Sequence, residues 1–275
     1  MKKKVKSLVL SGYGLNCDHE TAYILEMAGA EAVRVHINEL ISGIHHLSDF
    51  QLLVFVGGFS WADDHGAGLI QALKLKTNLE QAMLQFIESG NLVLGICNGF
   101  QTLVNMGLLP GFDQDYTKRH VALVDNECGN FRNAWVNLKV NSTSPCIFTR
   151  GMDHLEFPVR HGQGKFYTYP DNLSKLFQNN QVVLQYTKAD GTLANGEFPY
   201  NPNGSLSDIA GICDPTGKIF GLMPHPEAFH MWANHPLWHQ EHERIKRKQR
   251  PEFDGLTHGI RLFKNAIDYI QESVM

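Results

Sequence analysis

Apolar runs that end in glycine-bearing turns dominate the amino-terminal half of the chain. Val5 to Ser11, Leu52 to Val56 and Leu92 to Ile96 are almost continuously apolar, as is typical of strands buried on both faces. Helical patterns follow at HETAYILEMAGA and from Leu69 to Glu88. Strands that alternate with helices pair in parallel through right-handed crossovers. The sequence therefore predicts an α/β fold, a three-layer, mostly parallel sheet with flanking helices.

The second half of the chain is richer in short strands and shows no linker that would separate a further domain. Its apolar runs predict strands at WVNLKV, LEFPVRH, VVLQYT, DIAGIC and KIFGLM. An amphipathic pattern, THGIRLFKNAIDYIQESV, closes the chain as a helix. At 275 residues the chain is long enough for one large domain. We expect a single domain over residues 1–275, with an insertion at 230–255.

Charge and cysteine content exclude several kinds of protein. The formal net charge is -4, whereas nucleic-acid binding normally shows as a basic excess. No apolar stretch reaches the roughly 20 residues that a membrane helix needs. The five cysteines include no C-x-x-C pair, and this pattern fits neither a disulfide scaffold nor a standard zinc site. We expect a cytoplasmic protein with no nucleic acid, membrane or metal partner.

The stretch GICNG places Cys97 between two glycines, after a predicted strand and before a predicted helix. This is the cysteine form of a nucleophile elbow, in which glycines allow a sharp turn and the helix amino terminus favours the thiolate. Gly95 and Gly99 would also let the helix pack closely on the strand. The pattern predicts an exposed, activated nucleophile at Cys97. The alternative is a small core residue, because free cysteines are usually buried.

A histidine and an acid follow the predicted strand KIFGLM, in the stretch PHPE. Each proline disfavours helix for the residue before it, so this segment should be extended or turned. Side chains two residues apart in an extended chain point the same way, and Glu227 could accept a hydrogen bond from His225. The other ring nitrogen would take the proton of Cys97. The alternative is a surface turn with an incidental histidine, one of 14 in the chain.

A cysteine nucleophile also needs donors for the oxyanion that forms during attack. We expect the backbone N–H of Asn98, directly after the nucleophile, to be one donor. Gly57 or Gly58, at the end of a neighbouring predicted strand, would supply the other. The carboxyl ends of parallel strands meet at one edge of a sheet, where chemistry collects. The predicted oxyanion site and the predicted nucleophile therefore share that edge.

Taken together, GICNGFQTL and the downstream PHPE resemble the class I (triad) glutamine amidotransferases. Four further motifs are similar to those of the glutaminase subunits of phosphoribosylformylglycinamidine synthase, an enzyme of de novo purine biosynthesis. They are GLNCDHE, GGFSWADDHGAG, RHGQGKF and NPNGSLSDIAGICDPTGKIFGLMPHPE. The resemblance covers about residues 5–228 and implies the flavodoxin-like sheet of class I amidotransferases.

The resemblance implies that Cys97 attacks the side-chain amide of glutamine and forms a thioester, with His225 and Glu227 completing a catalytic triad. Ammonia would pass to a synthetase subunit that uses ATP and Mg²⁺ to convert formylglycinamide ribonucleotide to the amidine. The resemblance is also compatible with a small third subunit in the same complex. It implies no cofactor in this chain.

Three polar residues in the motifs, Gln101, His161 and Gln163, are the candidates for binding substrate. The chain departs from the family pattern at Gln163, because the family commonly has HGEG there, and one carboxylate of the expected glutamine pocket is missing. Val56 stands where proline is common, and FSWAD stands where FSYGD is common. None of these departures touches the expected triad, but substrate affinity or coupling to the synthetase could differ.

The insertion at 230–255 has no assigned role. His235, His239 and His242 would share a helix face, but neither a cysteine nor an HExxH pattern accompanies them, so we expect no metal there. The basic run Arg244 to Arg250 is either solvated or a docking surface for an acidic patch of the synthetase.

Two other functions stay open. The chain could be another cysteine hydrolase of the same fold, such as a peptidase, or a regulatory subunit that keeps the fold without catalysis. Ammonia release from glutamine, but not from peptides, would argue against the peptidase. Loss of complex activity on Cys97→Ala would argue against the regulatory subunit.

Overall fold

The computed structural model describes residues 4–248 and 255–273, and this part of the chain contains eleven strands and seven α-helices. The strands are β1 (Lys6–Ser11), β2 (Glu31–His36), β3 (Leu52–Phe55), β4 (Leu92–Ile96), β5 (Val121–Asp125), β6 (Arg132–Val140), β7 (His154–His161), β8 (Gln163–Thr168), β9 (Val182–Thr187), β10 (Ile209–Cys213) and β11 (Ile219–Leu222). The helices are α1 (Asp18–Met27), α2 (Ile37–Ile41), α3 (Leu69–Glu88), α4 (Asn98–Met106), α5 (Pro170–Gln178), α6 (Trp238–Lys246) and α7 (His258–Ser273).

Nine of the described strands form one sheet, in the order β2-β1-β3-β4-β11-β10-β9-β6-β7. The neighbours from β2 to β11 in this order pair in parallel. The rest of the sheet is antiparallel. Crossover helices join the parallel strands, and α1 packs with α7 while α3 packs with α4. The predicted α/β fold, a large sheet with flanking helices, is confirmed.

The two strands at the centre of the parallel half are buried along their whole length. Every residue of β3 and of β4 is buried. These strands match the apolar runs of the sequence because a strand covered on both faces has no solvent side for polar residues. The carboxyl ends of β1, β3 and β4 lie side by side in the sheet, and β11 pairs with β4 there. This edge carries the site described below.

The second half of the chain joins the same sheet through the hairpin of β10 and β11. Because β11 lies between β4 and β10, residues from both halves share one hydrogen-bonded sheet. The pair β5 and β8 forms a separate two-stranded sheet, which the sequence did not predict. In the described ranges no helix has both the length and the apolar character needed to cross a membrane.

The insertion folds back on the sheet through aromatic contacts. The ring of His235 lies 4.6 Å from that of Trp135 on β6, between centroids, and Phe229 packs against the same tryptophan. His235 precedes α6, so the expectation that it shares a helix face with His239 and His242 is wrong. Pro236 disfavours helix at His235, which is extended, and α6 begins only at Trp238. Residues 249–254 of the insertion, including the end of the basic run, lie outside the described residues.

Candidate active site

The turn between β4 and α4 holds Cys97 in a strained conformation. Its φ is 51° and its ψ is -107°, a region that L-residues other than glycine rarely adopt. Glycine is required at position 99, because a Cβ there would lie 2.0 Å from the carbonyl oxygen of Phe55. The helix therefore begins in direct contact with β3. This close packing fixes the sharp turn that the sequence predicts.

The sulfur of Cys97 is buried, with only 4% of the residue exposed, so the predicted exposure is wrong. The carbonyl oxygen of Arg160, at the end of β7, lies 3.7 Å from Sγ and covers it. The backbone N–H of Cys97 donates to Leu222 on β11 at 2.8 Å. A long-range contact with β7, which no local pattern reveals, therefore encloses the predicted nucleophile.

His225 and Glu227 form a buried hydrogen-bonded pair. Nδ1 of the ring lies 2.5 Å from Oε1 of the carboxylate, and both side chains are 2% exposed. His225 is extended, whereas Pro226–Ala228 form one turn of 3₁₀ helix, so the predicted contact arises through a turn rather than a straight segment. The N–H of His225 donates to the carbonyl of Pro158 on β7 at 2.8 Å, which anchors the ring.

Electrostatic interactions raise the pKa of the His225 ring and so favour its protonated form. Burial alone would lower its pKa, but the negative charge of Glu227 and the interactions with Cys97 and Cys17 raise the pKa well above its ordinary value. Nε2 is buried and makes no hydrogen bond to any described residue. The ring thus has one nitrogen fixed by the acid and one left for the thiol, which is the division of roles that a triad needs.

The predicted oxyanion residues lie around this ring. A Cβ on Gly57 would stand 2.6 Å from Cε1 of His225, so the strand end packs directly on the imidazole. Gly58 has a φ of +142°, and a Cβ there would stand 2.8 Å from the carbonyl oxygen of Gly14. Asn98 is the first residue of α4, where backbone N–H groups have no intrahelical partner. Their role as oxyanion donors stays a prediction.

The side chain of Asn98 is held by a carboxyl group from the loop after β3. Asn98 Nδ2 donates to Oδ1 of Asp63 at 2.9 Å. Burial raises the pKa of Asp63 to about 6 and outweighs the opposing effect of this hydrogen bond. Trp61, Ala62 and Asp63 all have positive φ values, between 51° and 57°. The loop is therefore strained and fixed against the first turn of α4, which directly follows Cys97.

The three candidate substrate-binding residues bind other parts of the protein. Gln101 Nε2 donates to the carbonyl of Gln163 at 2.6 Å. The side chain of Gln163 accepts from the N–H of Ala67 and donates to Asp125, joining two loops. His161 bonds Asn126 at 3.0 Å, and burial, with a smaller effect of His225, lowers its pKa to about 3. Their contact with substrate stays a prediction.

A cavity of about 230 Å³ opens beside His225. Its lining residues include Asn16, Cys17, Glu20, Gly58, Phe59, Phe131, Arg160 and His225. The first three lie in the motif GLNCDHE, whose pattern predicts no role for them. A signal is present in the sequence, since GYGLNCD follows β1 at the same edge of the sheet as GICNG. Burial raises the pKa of the Cys17 thiol, against an opposing effect of His225.

Comparison with known proteins agrees with the motifs. The model of the CobB/CobQ-like glutamine amidotransferase domain matches residues 4–270. The chain is 45% identical to the phosphoribosylformylglycinamidine synthase subunit PurQ of Methanococcus maripaludis, over 97% of this chain and 98% of that protein. It is also 45% identical to the PurQ subunit of Dehalococcoides mccartyi, over 98% and 99% of the two chains.

A solved structure supports the same relationship. A chain of PurLQS from Thermotoga maritima superposes with a TM-score of 0.68 and 29% identity, over 98% of this chain and 100% of that one. A glutamine amidotransferase from the same organism, at 17% identity and a TM-score of 0.53, shares the fold. The resemblance drawn from the motifs is confirmed, and the chain belongs to the CobB/CobQ-like glutamine amidotransferases and, among them, to the PurQ subunits of phosphoribosylformylglycinamidine synthase.

Proposed function

We propose that this chain is the glutaminase subunit of a phosphoribosylformylglycinamidine synthase. It hydrolyses glutamine to glutamate and ammonia, and it delivers the ammonia to an ATP-dependent synthetase subunit acting on formylglycinamide ribonucleotide in purine biosynthesis. The observation that carries the proposal is the buried pair of His225 and Glu227 beside a cysteine on a strained strand-to-helix turn. A core cysteine with an incidental histidine would need neither the strained turn nor the buried carboxylate.

The first half of the reaction forms the thioester. Cys97 Sγ, as the thiolate, bonds to the amide carbon of glutamine while the carbonyl electrons move onto the oxygen. Backbone N–H groups at Asn98 and at Gly57 or Gly58 hold that oxyanion. Protonated His225 gives its Nε2 proton to the amide nitrogen, the carbon–nitrogen bond breaks, and ammonia leaves.

The second half releases glutamate. His225, now neutral, takes a proton from water, and the resulting hydroxide adds to the thioester carbon. The carbon–sulfur bond then breaks and returns the thiolate. Glu227 keeps Nδ1 protonated through both halves, so Nε2 alone exchanges protons with the reactants.

The partner follows from the relatives. The curated relatives are named as a subunit of the synthase, and the similar solved chain belongs to an assembly named PurLQS. Two exposed aromatic rings, Phe59 and Phe131, lie at the cavity with their centroids 6.2 Å apart. Exposed apolar rings beside an active cavity are typical of a surface that a partner covers. The synthetase would seal this opening and keep ammonia from solvent.

The proposal assigns the remaining chemistry to the partner. ATP and Mg²⁺ act in the synthetase, and the glutaminase chain uses its own side chains without a cofactor. We place the chain in the cytoplasm, where thiols stay reduced. All five cysteines are free, in agreement with that compartment.

The test is an assay of the chain with and without its co-expressed synthetase. Glutamine should support amidine formation, and Cys97→Ala should abolish glutamine-dependent activity while added ammonia still supports the synthetase reaction. If the variant keeps glutamine-dependent activity, the chain is a regulatory subunit. Hydrolysis of peptides without release of ammonia from glutamine would assign it to the other cysteine hydrolases.

A further inference from the structure

A second thiol lies against the histidine and glutamate of the active site. Cys17 directly precedes α1 and is buried, with 8% of the residue exposed. One ligand atom each from Cys17, His225 and Glu227 lies within 4.8 Å of the other two. A Cβ built on Gly57 would stand 3.3 Å from Cys17 Sγ and 2.6 Å from Cε1 of His225, so the thiol and the imidazole both pack against this strand end. The proposed mechanism gives this sulfur no task.

One carboxylate oxygen of Glu227 lies at the same place without a hydrogen-bond partner in the described part of the chain. Oε1 binds His225, but Oε2 is buried and has no hydrogen-bond partner among residues 4–248 and 255–273. The residue is only 1% exposed. Buried polar atoms nearly always have a partner, so an orphaned carboxylate oxygen in a native structure indicates an unseen ligand or a special role. A cation is the ligand that such an oxygen accepts best.

The donors match one class of metal ion. Thiolate sulfur, imidazole nitrogen and carboxylate oxygen together are typical ligands of Zn²⁺, which binds each at about 2.0–2.3 Å in a tetrahedral arrangement. Tetrahedral ligands at those lengths lie about 3.5 Å apart, and the three candidate ligand atoms here lie within 4.8 Å of one another. The adjoining cavity of about 230 Å³ provides an entry path and room for water as a fourth ligand.

We propose that Cys17, His225 and Glu227 form a binding site for Zn²⁺ or a similar thiophilic divalent cation, and that occupation of this site blocks glutamine hydrolysis. The thiol proton and the proton of one ring nitrogen pass to water as the metal bonds to Sγ and to that nitrogen. The ring is then neutral, with its remaining proton on the other nitrogen and no free lone pair, and cannot act as a base toward water. The metal site depends only on the three side chains, whereas its inhibitory effect rests on the proposed glutaminase function.

The binding test uses Co²⁺ as an optical probe on the full chain. A Co²⁺–thiolate bond gives an intense near-ultraviolet charge-transfer band, and Zn²⁺ should displace it. We expect one Co²⁺ per chain, with the band retained in Cys97→Ala and lost in Cys17→Ala. Cys128→Ala is the matched control, because Cys128 is the half-buried thiol away from the three ligands. Removing a ligand should weaken binding by more than about 100-fold.

Three results would overturn the metal site. They are absence of the band in the wild-type chain, its loss in Cys97→Ala with retention in Cys17→Ala, and its loss in Cys128→Ala alone. Cys17→Ser replaces the alanine variant if that variant misfolds. A measurement on the wild-type chain needs no variant: Zn²⁺ should protect Cys17 from alkylation, as read by peptide mass spectrometry, and unchanged labelling would contradict the site.

The inhibition test is separate. Glutaminase activity is measured with Zn²⁺ and expressed for each variant relative to its own rate in a chelator. The Zn²⁺ concentration for half-inhibition should rise at least about 100-fold in Cys17→Ala. Equal inhibition of wild type and Cys17→Ala would overturn the inhibitory role. A Co²⁺ band assigned to Cys17 in a chain that shows no glutaminase activity even with its synthetase would instead leave the site standing and reject the proposed function.

Discussion

Gly57→Ala adds one methyl group directly against the ring of His225, the proposed acid and base. That Cβ would stand 2.6 Å from Cε1 of His225, whereas ordinary contact begins at 3.4 Å, so ring or strand must give by about 0.8 Å. Neither atom is at the end of a flexible chain, since the N–H of His225 is bonded to Pro158 and its ring to Glu227. A shift of this size at a reacting group costs about 100-fold in rate. Overpacking should also cost about 1–3 kcal/mol of stability.

The assay is kcat for glutamine hydrolysis in the complex, together with the thermal midpoint of the isolated chain. Gly12→Ala is the matched control, because its Cβ would meet only Ile37 and Leu15 at ordinary distances of 3.4 Å or more. Neither glycine has a positive φ, so the comparison isolates steric contact from backbone strain. Wild-type kcat in Gly57→Ala would refute the placement of the ring against this strand end.

Three further predictions concern Asp63, Glu227 and Cys97 of the site. Asp63→Asn should raise the thermal midpoint by about 2 °C at pH 7 but not at pH 4. A carboxyl group whose pKa is raised to about 6 in the folded state destabilises the fold as pH rises from about 4 to 6. Solvent screening at this half-buried position limits the effect to roughly 1 kcal/mol. An equal midpoint difference at both pH values would contradict this. Glu227→Gln should lower kcat by about 10²–10⁴-fold. It should also move the alkaline limb of the pH profile of kcat/KM to lower pH, because the charge that raises the pKa of His225 is gone. An unmoved alkaline limb would count against the pairing of His225 with Glu227. A glutamine-analogue alkylator should label Cys97 and spare the other four cysteines, as peptide mass spectrometry would show. Loss of activity with labelling at Cys17 would reject Cys97 as the nucleophile.

The sequence predicts those features that local pattern determines. Continuous apolar runs indicate β3 and β4, and α3 spans Leu69–Glu88 as its helical spacing predicts. The glycines around Cys97 indicate the sharp turn, because only glycine fits where α4 touches β3. PHPE indicates a histidine with an acid two residues on. In each case the physical cause lies within a few residues of the motif.

The features that the sequence did not predict depend on distant segments. Cys97 is buried because the end of β7 covers its sulfur, more than 60 residues along the chain. Cys17 meets His225 because the turns after β1 and β11 open on the same edge of the sheet. Gln163 joins two loops through its amide, a role that a substrate-binding motif does not reveal. Such contacts follow from how the sheet is assembled, which no local spacing encodes.

The most direct measurement of the central claim is to trap the acyl-enzyme. The complex is mixed with radiolabelled glutamine, quenched in acid during turnover and digested, and the labelled peptide is identified. The account predicts label on the peptide that contains Cys97, released by hydroxylamine as expected of a thioester, and absent from Cys97→Ala. Turnover of glutamine with no labelled peptide, or with label at Cys17, would contradict it.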